Sequence, residues 1–220
     1  MEGLSDSELA RRVHVGIGAE VELFGSSSPS GRLIRRGGVV ASLNPANPDL
    51  SIFNCVTALD PAEIEPMLDE LEDTYSEVGV RAWTVWITPG HPLGVDVLAE
   101  RGHVVDAEPR SMGIELGEFS PPDVELPDGV ELRPARDLTE VCEINDAAYG
   151  LEGAWAAALE GQPRPGSSWL VADDGSGGVV CAATIDVGDD ACVTAVAARP
   201  EHRGGGITAA ILGRLLVEAR

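Results

Sequence analysis

The sequence is poor in positive charge, in aromatic residues and in long apolar runs. It has 15 basic residues against 37 acidic ones, and the net charge is −22 at pH 7. Because a surface this acidic repels phosphate backbones and anionic lipid, we expect neither nucleic acid nor a membrane as a partner. The charge would attract a cationic substrate such as an amine, although solubility alone also explains it. No apolar run approaches the length of a membrane-spanning helix.

The chain also lacks any paired or clustered cysteines. Its four cysteines, Cys55, Cys142, Cys181 and Cys192, are scattered through apolar or mixed runs. This pattern predicts small buried side chains rather than a metal site or a nucleophile. The first dozen residues show no positive flank followed by an apolar stretch, so we expect no signal peptide and a reduced, cytoplasmic setting.

The first half of the chain reads as a mixture of helices and strands. Apolar periodicity predicts helices over residues 5–25 and 61–78, the second capped by Asp60 with Pro61 at its first position. A shorter helix is expected over 92–101. Runs of β-branched and aromatic residues predict strands over 32–42, 51–59, 81–88 and 104–116.

A proline-rich acidic segment, residues 118–128, separates this half from a second series of elements. We expect a strand over 130–134, a helix over 138–149 capped by Asp137, and a helical turn over 153–159. Strands over 169–173, 179–187 and 191–198 then lead to a final helix beginning near Gly206. The sequence thus predicts two domains, 1–117 and 129–220, joined by a linker.

The most informative stretch is the strand that runs into Arg203-Gly204-Gly205-Gly206 and then into an apolar-striped helix. Glycines here remove side chains that would block a ligand. The free N–H groups at the helix start then point in one direction with the helix dipole behind them, an arrangement that suits a diphosphate. A dinucleotide-binding GxGxxG pattern is absent, as is a P-loop, and no lysine lies near the loop.

This stretch resembles the R/Q-x-x-G-x-G/A motif of the GNAT acetyltransferases, preceded as in that family by Pro200-Glu201-His202. Thr208 stands where glycine or alanine is usual, but it still offers its backbone N–H. The resemblance implies acetyl-CoA as co-substrate, no metal, and an amine acceptor. The residues implied to hold the cofactor are Val196, Ala197, Ala198, Arg203, Gly204, Gly205, Gly206, Ile207, Thr208 and Ala209.

The resemblance extends to the order of elements, and it implies an α/β (α+β) protein of two GNAT-like domains. Each would be a mixed, mostly antiparallel sheet flanked by helices. The first domain lacks the motif, because acidic residues follow the strand at 51–59, and we interpret it as degenerate. The second ends before the strand that would complete the family's sheet, so we expect it to be incomplete and the chain to be a fragment.

Acetyl transfer to an amine needs a base for the ammonium ion and an acid for the departing thiolate. The candidates that the sequence offers are Glu143, Asp146, Glu152, Asp186 and, for the acceptor pocket, Tyr149. No sequence signal singles out one of them. The alternative function is a CoA-binding or protein-interaction module without turnover, and a homodimer is also left open.

Overall fold

The computed structural model describes residues 4–88, 91–160 and 165–220. They fall into two compact units, one of Asp6–Gly113 and one of Ile114–Arg220 together with Leu4 and Ser5. Each unit contains a four-stranded sheet with flanking helices, so the chain is an α+β protein. None of the described helices is long and apolar enough to cross a membrane.

The first unit combines a long helix, a mixed sheet and two shorter helical segments. Strands β1, β2 and β3 pair antiparallel, whereas β4 pairs parallel with β3 after a helical crossover. The core lies against α2, which buries Leu68, Leu71 and Tyr75. The elements are α1 (Asp6–Ser26), β1 (Arg32–Arg36), β2 (Val39–Leu43), β3 (Cys55–Ala58), α2 (Leu68–Glu77), β4 (Thr84–Trp86) and a π-type helical turn (Leu93–Leu98).

Two strand predictions in this unit are wrong. The run 32–42 is a hairpin of β1 and β2, because Gly37, with φ of 60°, reverses the chain in its middle. The run 104–116 forms no strand, and between β4 and residue 131 the described residues contain none. Val104 and Val105 are 82% and 80% exposed. Strand propensity depends on a pairing partner and a buried face, and this segment has neither in the described structure.

The helix predicted over residues 61–78 begins differently from the prediction. Asp60 caps it, since its Oδ1 accepts a hydrogen bond of 3.0 Å from the N–H of Ala62. Regular α-helix starts at Leu68, however, after two 3₁₀ turns over Pro61–Glu63 and Glu65–Met67. The second proline of this segment, Pro66, lacks an N–H and so disfavours a continuous α-helix through it.

The second unit follows its predicted order of elements closely. Helix α3 has its predicted bounds: Asp137 accepts a hydrogen bond from Glu140 N–H, and Gly150, with φ of 68°, ends the helix. The elements are β5 (Glu131–Pro134), α3 (Leu138–Tyr149), α4 (Ala154–Ala158), β6 (Ser167–Asp173), β7 (Gly178–Val187), β8 (Asp190–Ala198) and α5 (Ile207–Glu218).

The second sheet differs from the mixed sheet that the sequence predicts, because its described strands, in the order β5-β6-β7-β8, are all antiparallel. The helical connection from β5 to β6 returns the chain antiparallel, and the next two connections are hairpins. Helix α5 buries Ile207, Ile211 and Leu215 against one face of this sheet. At Gly213 an added Cβ would lie 3.3 Å from Pro121 and Pro122, so the absence of a side chain lets this segment pack on α5.

An ion cluster centred on the buried carboxylate of Glu140 ties β5, β6 and α3 together. Glu140 is 6% exposed and accepts hydrogen bonds from the guanidinium groups of Arg133 and Arg136. Arg133 also donates to Asp173 of β6. These hydrogen bonds, Arg133 foremost, lower the pKa of Glu140 to about 2. The carboxylate is therefore charged at neutral pH and holds three elements in register.

Candidate functional site

Strand β8 combines a free edge with an irregular backbone. Among the described strands it pairs with β7 alone, and we call its other edge the free edge. The register with β7 shifts between Cys181 and Ala183, where β8 has an extra residue. Ala195 lies in this bulge with φ of 51°, a left-handed conformation that costs energy for any residue with a Cβ. Strain of this kind is concentrated at functional sites.

The register identifies the main-chain groups that face the free edge. Arg199 N–H donates to the carbonyl of Val179 on β7 at 2.9 Å, and Ala197 lies opposite Cys181. Main-chain groups of successive residues point alternately toward and away from an antiparallel partner. The N–H and C=O groups of Val196 and Ala198 therefore point away from β7, toward the free edge.

After β8 and a 3₁₀ turn over Pro200–His202, the chain forms a turn whose first two glycines leave open space. Gly204 and Gly206 have φ of 82° and 77°, conformations that favour glycine. A Cβ added at Gly204 or Gly205 would meet no atom within 4 Å, whereas at Gly206 it would lie 2.8 Å from Val124. The turn thus presents backbone without neighbouring side chains at Gly204 and Gly205, whereas the side chain of Val124 packs beside Gly206.

The start of α5 has no side-chain cap for its first N–H groups. Its N-cap residue, Gly206, makes no side-chain capping bond, and the first helical bond runs from Ala210 N–H to Gly206 C=O at 3.1 Å. The N–H groups of Ile207, Thr208 and Ala209 therefore have no acceptor within the helix. Together with the helix dipole they form a positive region that suits an anion. We call the backbone from Gly204 to Ala209 the cradle.

Arg203, predicted to add positive charge beside the cradle, also has a structural role. Its Nη2 donates to the carbonyl of Ala148 at 2.6 Å, and its Nε contacts the carbonyl of Ala198 at 3.3 Å. The side chain thus links the end of β8 to the last turn of α3. The residue remains exposed beside Gly204, so its charge adds to the positive region.

Tyr149, which the sequence suggests for the acceptor pocket, lies at the free edge of β8. Its hydroxyl donates a hydrogen bond of 3.0 Å to the carbonyl of Val196, the residue that follows Ala195 in the bulge. Its ring lies 6.3 Å from the ring of Trp155, at an angle of 20°. The structure therefore brings Tyr149, Val196, Ala198 and Arg203 together beside the cradle.

The carboxylates suggested as bases are dispersed. Asp146 caps α4, since its Oδ1 accepts a hydrogen bond of 2.9 Å from Trp155 N–H. Glu152 is exposed in the turn between α3 and α4. Asp186 is exposed on β7 opposite Ala191, five residues from Val196, or about 16 Å along the strand.

Glu143 lines a separate polar cavity of about 310 Å³ in this unit, together with Arg136, Arg199, Glu201 and His202. His202, which the sequence predicts to face solvent, lies 3.5 Å from a carboxylate oxygen of Asp174, with a quarter of its side chain exposed. None of the cradle residues lines this cavity. Glu143 thus lines this cavity and not the cradle.

Three of the four cysteines are buried and offer no reactive thiol. All four are free, and Cys55, Cys142 and Cys181 are buried as predicted. Burial raises the pKa of each of these three thiols to about 12, so they are protonated at neutral pH. Cys192 is half-buried on β8.

Two features of the site had no sequence signal. The bulge at Ala195 lies in a run of alanine and valine without glycine or asparagine, the residues that usually mark a positive φ. The bond between Tyr149 and Val196 joins residues 47 positions apart. The glycine cradle did have a local signal, because three consecutive glycines between a strand and a helix are visible in the sequence.

Similarity to solved structures shows the fold. The chain superposes on a GCN5-related N-acetyltransferase from Kribbella flavida with a TM-score of 0.64 and 21% identity, over 96% of this chain and 80% of that one. A GCN5-related N-acetyltransferase from Sphaerobacter thermophilus matches with a TM-score of 0.47 and 15% identity, over 84% and 69% of the two chains. A functionally unknown conserved protein from Staphylococcus epidermidis matches with a TM-score of 0.49 and 13% identity, over 86% of this chain and 80% of that one. Neither a protein-family model nor a curated protein sequence matches.

Proposed function

We propose that this chain is an N-acetyltransferase of the GCN5-related type, which transfers an acetyl group from acetyl-CoA to an amine. The observation that carries the proposal is the cradle, a row of N–H groups without acceptors at the end of a bulged strand. The fold shared with the Kribbella flavida acetyltransferase supports it. The excess of 37 acidic over 15 basic residues also favours a cationic acceptor.

The proposed roles follow from the direction of the main-chain groups. The N–H groups from Gly204 to Ala209 bind the diphosphate of CoA, and Arg203 adds positive charge. The free edge of β8 over residues 196–198 pairs with the amides of the pantetheine arm. This places the thioester beside the bulge, where N–H groups of the strand polarise its carbonyl oxygen.

Acetyl transfer forms a bond between the amine nitrogen and the acetyl carbon and breaks the bond from that carbon to sulfur. The ammonium form of the acceptor must first lose a proton to a base. Asp146 is committed to the cap of α4, and Asp186 lies far along β7. Glu152, three residues after Tyr149, is the carboxylate that we assign as the first base to test.

We also propose that the two units are GNAT-like domains, residues 1–117 and 129–220 joined by 118–128, and that the first has lost its cofactor site. In the first unit the segment after β3 carries Asp60, Glu63 and Glu65, whose charge opposes an anion. The commitment of Asp146 to a structural cap favours one alternative, a domain that binds CoA without turnover. Consumption of acetyl-CoA in the presence of a panel of amines separates the two functions.

A charge substitution in the cradle tests the proposal. Gly205 is the suitable position, because it has no positive φ and an added Cβ meets nothing within 4 Å, whereas Gly206 fails on both counts. Gly205→Glu places an anion among the cradle N–H groups and should weaken CoA binding by about 100-fold or more. Calorimetric titration with CoA measures the effect.

Gly117→Glu is the matched control. Gly117 also has open space around it, and its carbonyl accepts a hydrogen bond from Arg220 beyond the far end of α5. The control adds the same charge to the same unit and should leave CoA binding unchanged. Equal affinities of the parent and Gly205→Glu, or an equal loss in both variants, would contradict the cradle assignment.

A further inference from the structure

Tyr149 contacts the strand edge that the proposed function assigns to the pantetheine arm. It is the last residue of α3, and its hydroxyl donates a hydrogen bond of 3.0 Å to the carbonyl of Val196. The residue is 57% exposed, so much of its ring lies in solvent beside the edge. The core therefore holds this side chain only in part, through the stacking of its ring on Trp155 and the bond of its hydroxyl to the strand backbone.

Side chains already bond the two carbonyls that face this edge. Tyr149 occupies the carbonyl of Val196, and Arg203 Nε contacts that of Ala198 at 3.3 Å. An extended ligand with secondary amides, such as the pantetheine arm, pairs with a strand by donating its N–H groups to such carbonyls. Its backbone must also run through the space beside the strand, where the ring of Tyr149 lies.

We infer that Tyr149 is a latch on the edge of β8. Its hydroxyl holds the carbonyl of the bulge when no ligand is present, and it leaves that carbonyl when an amide-bearing ligand pairs with the strand. This inference rests on the proposed function, because it assumes that CoA binds along this edge. Tyr149 is thus a positioning residue that sets the affinity for the pantetheine arm.

Tyr149→Phe tests the latch, because it removes the hydroxyl and keeps the ring. The parent must break the bond to Val196 before CoA pairs with the strand, and the variant has no such bond to break. CoA should therefore bind the variant roughly fivefold more tightly, the value of one net hydrogen bond. ADP carries the diphosphate without the pantetheine arm, so its affinity should be the same in both proteins.

Fluorine NMR reports the movement itself. The chain has two tyrosines, and the other one, Tyr75, is buried at 1% exposure. Protein labelled with 3-fluorotyrosine should give two resonances, assigned with the Tyr149→Phe variant. Saturating CoA should shift the Tyr149 resonance and leave that of Tyr75 in place, while ADP should shift neither.

Three outcomes are distinguishable by calorimetry. Tighter binding of CoA to the variant, with unchanged ADP affinity, supports the latch. Equal or weaker binding of CoA to the variant overturns the latch and leaves the proposed function standing. Absence of CoA binding in both proteins overturns the latch and the proposed function together.

Discussion

In each unit a strand is followed by a helical segment, directly after β3 and beyond a 3₁₀ turn over Pro200–His202 after β8, and the two helix starts are built differently. After β3, the carboxylate of Asp60 accepts the N–H of Ala62 at 3.0 Å, and Pro61 follows it in the first helical position. After β8, three glycines precede α5, and its N-cap residue, Gly206, makes no side-chain bond. At the first helix start a side chain accepts one of the free N–H groups, whereas at the second no side chain does so.

The strands that precede these helices also differ in how fully their main-chain groups are paired. Strand β3 lies between β2 and β4 and pairs with both without a register shift. Strand β8 pairs with β7 alone among the described strands and carries a bulge at Ala195. The first unit therefore pairs these main-chain groups internally, whereas in the second unit the edge of β8 and the start of α5 have no such partner among the described residues.

The units also differ in the burial of the ion pairs compared here. The largest effect on stability is expected from the pair with the buried carboxylate. Glu140→Gln removes the charge that Arg133 and Arg136 share in the second unit, and it should lower the free energy of unfolding by about 3 kcal/mol at pH 7. Asp49→Asn in the first unit is the control. Its partner Arg81 is 64% exposed, so this change should lower stability by less than about 1 kcal/mol. Urea unfolding measures both.

The pH dependence follows from the pKa of Glu140, which the fold lowers from 4.5 to about 2. A lowered carboxyl pKa contributes stability that is present above pH 4.5 and is lost as the pH falls toward 2. The difference between the parent and Glu140→Gln should therefore shrink between pH 5 and pH 3. A constant difference over that range would show that the cluster acts through packing and not through charge.

A smaller effect on stability is expected at the helix start that Asp60 caps. Asp60→Ala removes the cap of Ala62 and should lower the free energy of unfolding by about 1 kcal/mol. Asp60→Asn keeps a capping oxygen and should stay close to the parent. Thermal unfolding of the three proteins checks the order. Equal losses in both variants would mean that the charge of Asp60, not its cap, stabilises this start.

Much of the second unit could be predicted from sequence because its signals are local. Asp137 and Gly150 mark the two ends of α3, and the glycines before Ile207 mark the start of α5. Each of these residues acts on backbone within a few positions of itself. The cradle belongs to the same class, since its glycines are adjacent in sequence and Gly204 and Gly205 leave their main-chain groups without a covering side chain.

The features that sequence did not predict depend on distant partners. The run 104–116 has the composition of a strand but pairs with none of the described strands. The bulge at Ala195 is set by the register with β7, and Tyr149 reaches Val196 across 47 positions. Local residue preferences do not encode such pairings, and the fold has to be known before they can be stated.

The proposed function depends on the binding of a diphosphate by the N–H groups at the start of α5. Amide NMR of ¹⁵N-labelled protein titrated with ADP is the decisive experiment, because each N–H reports separately. We expect the amide resonances of Gly204 to Ala209 to shift in a saturable way, while those of Ala62 to Glu65 at the capped start do not move. Unmoved resonances in the cradle, or equal shifts at both helix starts, would show that this helix start does not bind the diphosphate.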